Sequence, residues 1–148
     1  MKASELRIRN LVFDDEGILS KINGFQPYGH SIRCDELEGC ELLIDLHPQD
    51  GTIRKGFEVD INCCKPIPLT EEWLLKFGFN EMLGKFVINP NSGYNACVAL
   101  RNNKWHLYND DCDAECNIIC EVETVHRLQN LFFDIWNFEL EIEDDYYR

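Results

Sequence analysis

The chain lacks any apolar run approaching the roughly 20 residues that a transmembrane helix needs. Its opening residues, MKASELR, lack the apolar stretch and the small-residue cleavage site of a secretory signal peptide. We therefore expect no membrane-spanning segment and a location in the cytoplasm.

Basic residues are scarce. The 14 Lys and Arg residues stand against 27 Asp and Glu, which gives a formal net charge of −13 at pH 7. Nucleic acids and anionic membranes would repel such a chain, so direct binding to either is disfavoured. The charge is compatible with plain solubility, with a basic protein partner, or with imitation of a nucleic-acid backbone.

Catalytic signatures are missing as well. The sequence contains no phosphate-cradling glycine pattern, and no glycine-flanked elbow positions a nucleophile. We expect no enzymatic activity. The alternative, an enzyme of unrecognised type, would require a pocket in which His, Cys and acidic side chains converge.

The composition is that of a folded protein. The chain has 148 residues, of which 45% are hydrophobic and 11% aromatic, enough for one core without covalent crosslinks. We predict an α+β fold with an N-terminal SH3-like β-hairpin or small barrel, a short helix, an antiparallel β-meander, a C-terminal amphipathic helix and a final strand. Residues 1–148 form one domain in this prediction, with possible subdomains 1–65 and 66–148.

Alternating and turn-forming residues define the elements of the first half. Strands are predicted at 6–13 and 18–22, with a turn at 14–17 between them and a reversal at Asn23-Gly24. Weaker patterns predict short strands at 30–34, 41–46 and 57–61. The prolines make 63–68 an extended connector.

The second half has clearer signals. A helix is predicted over 69–78, with Thr70 able to cap it and Gly78 ending it. Apolar spacing predicts a longer helix over 123–136, ended by Asn137. Between and after these helices, strands are predicted at 85–88, 96–101, 104–108, 117–122 and 138–142, with a turn at Asn102-Asn103.

Eight cysteines are expected to be mostly free thiols, since a reducing cytoplasm opposes disulfides. Cys112, Cys116 and Cys120 have a spacing found between zinc ligands, but a structural site needs a fourth, from Cys97, His106 or His126. Zinc is therefore a minor alternative, and no cofactor is expected. The adjacent Cys63 and Cys64 are interpreted as one buried and one exposed thiol.

Two surface hypotheses follow from the remaining residues. A partner with a basic patch could contact an acidic set, whose members are Asp110, Asp111, Asp113, Glu139, Glu141, Glu143, Asp144 and Asp145. Tyr94, Trp105 and Tyr108 could form an aromatic platform, but only Arg101 and Lys104 lie nearby, so a core or edge-strand role is favoured.

Three ordered blocks of the sequence carry a family resemblance. They are MKASELRIRNLV at 1–12, PIPLTEEWLLKFGF at 66–79 and VHRLQNLFFDIWNFELEI at 125–142. Together they resemble a group of uncharacterised short proteins of phages, prophages and mobile elements of Bacteroidetes. Arg9 stands where that group usually has glycine, and Trp136-Asn137 stand where it has a small residue and glycine. The resemblance implies a mobile-element origin, a bacterial host's cytoplasm and a shared scaffold, and it brings no activity.

The leading functional hypothesis is a non-enzymatic interaction protein that binds or modulates a host protein. The alternative from a different class is a small metal- or ligand-binding protein that uses Cys112, Cys116 and Cys120. The oligomeric state and the identity of the partner are left open by the sequence.

Overall fold

A computed structural model describes residues 3–26, 43–49, 57–91, 94–109 and 118–142. These residues form a mixed α+β fold in which antiparallel strands dominate, as the sequence predicts. Contacts between Cα atoms divide the chain into two compact units, Met1–Ile67 and Pro68–Arg148. No helix in the described ranges is long and apolar enough to span a membrane.

The first unit is built on a four-stranded antiparallel sheet. A 3-10 turn at Ala3–Glu5 precedes the sheet, and a second one at Ile61–Cys63 follows it. The strands lie in the order β1-β2-β3-β4 and are β1 (Leu11–Phe13), β2 (Leu19–Gln26), β3 (Leu43–Pro48) and β4 (Phe57–Asp60). The predicted strand at 30–34 lies outside the described residues.

A buried carboxylate organises the turn between β1 and β2. Asp14 Oδ1 accepts hydrogen bonds from the backbone N–H groups of Glu16 at 3.0 Å and Ile18 at 2.8 Å. Gly17 lies at φ +81°, a conformation that glycine adopts without steric cost. The turn predicted at 14–17 is confirmed, and a local side-chain-to-backbone network explains it.

The reversal predicted at Asn23-Gly24 is wrong. Both residues lie inside β2, where the pairing with β3 shifts between Ile22 and Gly24. The strand accommodates this dipeptide as a β-bulge, because continued pairing with β3 satisfies more backbone groups than a tight turn would.

Strand β1 is also bridged to the chain that follows β4. Phe13 and Lys65 exchange two backbone hydrogen bonds of 3.0 and 2.9 Å, which curls the sheet into a half-barrel. Its buried cluster is apolar: Leu6, Val12, Ile22, Ile44, Leu46, Val59, Ile61 and Cys64. Closure into an SH3-like barrel stays a prediction.

The second unit contains a five-stranded antiparallel sheet and two helices. The strands follow one another in chain order and are β5 (Asn80–Met82), β6 (Lys85–Asn91), β7 (Tyr94–Arg101), β8 (Lys104–Asn109) and β9 (Ile118–Glu121). Helix α1 (Glu71–Lys76) precedes them and α2 (Val125–Trp136) follows. The β-meander is confirmed, and β5 is a strand that the sequence analysis missed.

Helix α1 ends as predicted but begins differently. Gly78 lies at φ +79°, and the N–H groups of Gly78 and Phe79 donate to the carbonyls of Leu75 at 2.9 Å and Leu74 at 3.1 Å, a Schellman motif. Thr70 occupies the N-cap position, yet its side chain makes no capping hydrogen bond. The predicted capping role of Thr70 is therefore wrong.

Helix α2 buries the apolar side chains of one face, but not all of its apolar residues. Val125, Leu128 and Phe132 are fully buried, whereas Ile135 is 42% exposed. Asn137 adopts the left-handed conformation at φ +52° and ends the helix, as predicted.

The final strand predicted at 138–142 is wrong, since these residues form no strand. Gln129 Nε2 on α2 donates to the carbonyl of Leu140 at 3.0 Å. The ring of Phe138 lies 6.4 Å from that of Phe132. The apolar alternation arises because this segment packs back onto α2 rather than along a sheet.

Arg9 carries a backbone conformation that glycine would adopt more easily. It lies at φ +77° in a tight loop, where its N–H donates to the carbonyl of Ile22 at 2.7 Å. Two residues earlier, the N–H of Arg7 donates to Asn10 Oδ1 at 2.7 Å, so hydrogen bonds hold the loop on both sides of Arg9.

We expect Arg9→Gly to raise the free energy of unfolding by about 1 kcal/mol, because a non-glycine residue in the left-handed region is strained. Urea denaturation followed by circular dichroism measures this change. Arg7→Gly is the matched control and should not stabilise the protein. Equal effects of the two substitutions would show that the conformation of Arg9 is not the cause.

Candidate functional site

Most of the predicted acidic surface lies outside the described residues. This applies to Asp110, Asp111, Asp113, Glu143, Asp144 and Asp145. Glu139 and Glu141 are described in the segment after α2, where Glu141 is exposed and Glu139 is half-buried. No common surface can be assembled from the described members.

The proposed zinc ligands are not brought together by the described structure. Cys112 and Cys116 lie outside it, and Cys120 is half-buried on β9, where burial raises the pKa of its thiol. Cys120 is paired with Leu107, and the neighbouring His106 therefore points to the opposite face of the sheet. Within the described ranges, no group of three His, Cys, Asp or Glu side chains could hold a metal ion.

Cys97 is an exception to the expectation that most of the thiols are free. It is disulfide-bonded, whereas Cys63, Cys64 and Cys120 are free thiols. A disulfide-bonded sulfur is unavailable as a thiolate ligand, which removes Cys97 as the fourth zinc ligand. The bond also conflicts with the expected cytoplasm, because reducing compartments oppose disulfides.

The adjacent cysteines differ as predicted, with Cys63 exposed and Cys64 buried. Burial, together with the nearby charges of Cys63 and Asp14, raises the pKa of the Cys64 thiol to about 12. A thiol with so high a pKa is protonated at neutral pH and is a poor nucleophile.

The aromatic platform is not formed by the described side chains. Tyr108 is buried, and Trp105 packs edge-on against Phe86 with ring centroids 5.8 Å apart. Lys104 is engaged by Glu121, with Nζ 2.7 and 2.9 Å from the two carboxylate oxygens. This hydrogen-bonded pair raises the pKa of Lys104 and lowers that of Glu121. The charge of Lys104 is therefore already compensated.

The hairpin of β5 and β6 presents the most unusual surface of the described chain. Its two-residue turn, Leu83-Gly84, has φ values of +53° and +75°, as in a type I′ turn. Leu83 is 100% exposed, and the adjacent Met82 is 60% exposed. We call Met82, Leu83 and Gly84 the hairpin tip.

A second two-residue turn in the same sheet provides an internal comparison. Asn102 and Asn103, between β7 and β8, have φ values of +51° and +62°. Asparagine is favoured in this conformation because its short polar side chain tolerates positive φ. Leu83 lacks a short polar side chain that would tolerate positive φ, and its own side chain is not buried. The tip therefore holds an apolar side chain in solvent at a conformational cost.

Strand β5 is also an open edge. Among the described strands it pairs only with β6, and all three of its residues are exposed. Met82 and Lys85 flank the turn, so they form the hydrogen-bonded pair that closes the hairpin. The next pair, Glu81 and Phe86, is non-hydrogen-bonded, and the N–H and C=O of Glu81 consequently point away from β6.

Sequence reasoning missed this site because Asn80–Met82 is too short to show an alternating pattern. The available signal was Gly84 one residue before a recognised strand, which is typical of a tight hairpin. The exposure of Leu83 has no sequence signal, since a leucine is ordinarily read as a core residue.

The disulfide of Cys97 gives a direct test. Trypsin should release residues 86–101 from air-oxidised protein as part of a crosslinked species, and as a free linear peptide only after dithiothreitol. Mass spectrometry of the two digests distinguishes these forms. Free peptide 86–101 in the unreduced digest would contradict the bond.

The two adjacent thiols should react differently with iodoacetamide. At pH 8.5 we expect alkylation at Cys63 and none at Cys64 in the folded protein, and alkylation at both in urea, measured by peptide mass spectrometry.

The unfolded Cys64 thiol loses its proton near pH 9.0 and the folded one near 12. Stability should therefore fall as the pH rises through this window, and this loss should be smaller in Cys64→Ala.

The chain matches no protein-family model, no curated protein and no solved structure.

Proposed function

We propose that this chain is a non-enzymatic interaction protein of a phage or mobile element, which binds a protein of its bacterial host. The hairpin tip is the observation that carries this proposal. A fully exposed leucine at positive φ costs about 1 kcal/mol or more and contributes no burial to the fold. Binding a partner would recover that cost by removing Leu83 and Met82 from water.

The charge of the chain supports a protein partner with a basic surface. A net charge of −13 accelerates encounter with a positively charged surface and slows encounter with nucleic acid. Glu81, adjacent to the tip, is exposed and adds a local negative charge to the edge strand.

Two backbone conformations support the resemblance to mobile-element proteins. Arg9 lies at φ +77° and Asn137 at φ +52°. Both stand where that group of proteins has glycine, the residue that adopts positive φ most readily. A shared scaffold would require these conformations in every member and would explain the glycines.

The test separates binding from folding by a substitution at the tip. Leu83→Asn creates Asn-Gly, the preferred type I′ sequence, so the melting temperature should stay the same or rise. The loss of the apolar anchor should at the same time reduce partner capture at least tenfold, which corresponds to about 1.4 kcal/mol or more. Tagged protein is incubated with a Bacteroidetes lysate, and captured proteins are quantified by mass spectrometry.

Leu100→Thr is the matched control, because Leu100 is also apolar, lies on β7 of the same sheet and is 49% exposed. It should leave capture unchanged. Equal capture by the wild type and Leu83→Asn, with both folded, would refute the tip as the binding element. Failure of the wild type to capture any host protein would refute the proposed function.

A further inference from the structure

The open edge of β5 specifies the kind of partner, if the chain is the interaction protein proposed above. We infer that β5 accepts an extended strand of a different protein by β-strand addition, with a basic side chain opposite Glu81 and an apolar pocket for Leu83. This inference identifies the binding mode and the chemistry of the partner, which the proposed function leaves open.

The backbone of Glu81 supplies the point of attachment. Its N–H and C=O face the open edge, where an added strand can exchange two hydrogen bonds with them. Strand addition gains affinity from these main-chain bonds and specificity from the side chains on either face. Glu81 lies on one face of the strand, and Asn80 and Met82 lie on the other.

A second copy of the chain is the obvious competitor, and charge disfavours it. Because β5 spans Asn80–Met82, an antiparallel pair of two β5 strands in full register places Glu81 opposite Glu81 of the other copy. Like charges directly opposite one another destabilise a strand pair. Each copy also carries a net charge of −13, which adds long-range repulsion. A charged side chain on an edge strand is a common protection against self-pairing.

The same carboxylate favours a basic strand. Glu81 is exposed and makes no hydrogen bond or ion pair with the described residues, so a Lys or Arg directly opposite would be its first partner. Opposite charges in such a cross-strand pair stabilise the pairing. The apolar Met82 on the other face and Leu83 at the turn extend the contact with surface that the partner must cover.

Two capped synthetic peptides test the inference, (Lys-Val)3 and (Glu-Val)3, which place charge on one face of a strand and valine on the other. They are titrated into the ¹⁵N-labelled full chain at low salt, and the amide resonances are followed by NMR. We expect (Lys-Val)3 to shift the amides of Glu81 and Leu83, and (Glu-Val)3 to leave them unchanged. Shifts by (Lys-Val)3 that leave β5 unaffected would overturn the inference.

Charge reversal provides the second arm. Glu81→Lys should weaken binding of (Lys-Val)3 by roughly two- to fivefold and admit (Glu-Val)3. Asp15→Lys is the control, because it changes the net charge by the same amount at an exposed site in the turn after β1, outside the sheet that contains β5. If both variants weaken binding of (Lys-Val)3 equally, the peptide is attracted by the net charge of the protein rather than by Glu81, and the inference is overturned. The resonances of each variant report whether it is folded.

The two proposals fail separately. Leu83-dependent capture of a host protein, together with no response of β5 to (Lys-Val)3, would leave the proposed function standing and refute strand addition. Dimerisation of the wild type through β5, detected by sedimentation and abolished by Glu81→Lys or Leu83→Asn, would refute the basic heterologous partner.

Discussion

The packing of α2 against the five-stranded sheet is the constraint on which the second unit depends. One face of the sheet carries Phe86, Val98 and Leu107, and each of these side chains is almost completely removed from water. Helix α2 contacts β6 and contributes Leu128 and Phe132 to the buried set. A three- to five-stranded meander needs such a cover, because an isolated antiparallel sheet with an exposed apolar face is only marginally stable.

That arrangement determines where binding chemistry is available. Helix α2 packs on β6, and the unpaired backbone groups that an incoming chain could use lie at the edges of the sheet. Strand β5 offers such an edge with three exposed residues and an apolar tip. The shortness of β5 and the charge of Glu81 limit uncontrolled pairing, which is how many proteins protect an exposed strand.

Residues in the left-handed conformation recur at sharp turns of the described chain. Asn102, Asn103 and Asn137 adopt this conformation, which a short polar side chain tolerates. Arg9 and Leu83 adopt it as well, although their side chains do not favour it. At Arg9, neighbouring backbone hydrogen bonds hold the conformation in place. At Leu83, the turn is fixed by the pairing of Met82 with Lys85, and the side chain itself contributes nothing to the fold. Leu83 is therefore the position where conformational preference and sequence disagree most clearly.

The sequence by itself determined the α+β class, the meander of β6 to β9, the stop of α1 at Gly78 and the stop of α2 at Asn137. These features follow from local periodicity and from residues with strong backbone preferences, so they can be read without knowledge of distant contacts. Tertiary structure decided the bulge at Asn23-Gly24, the packing of 138–142 onto α2, the disulfide of Cys97 and the exposed tip at Leu83. Each of these depends on which residues distant in the sequence come into contact with a backbone group, a cysteine sulfur or an apolar side chain, or leave it exposed. The linear order of residues does not specify those contacts.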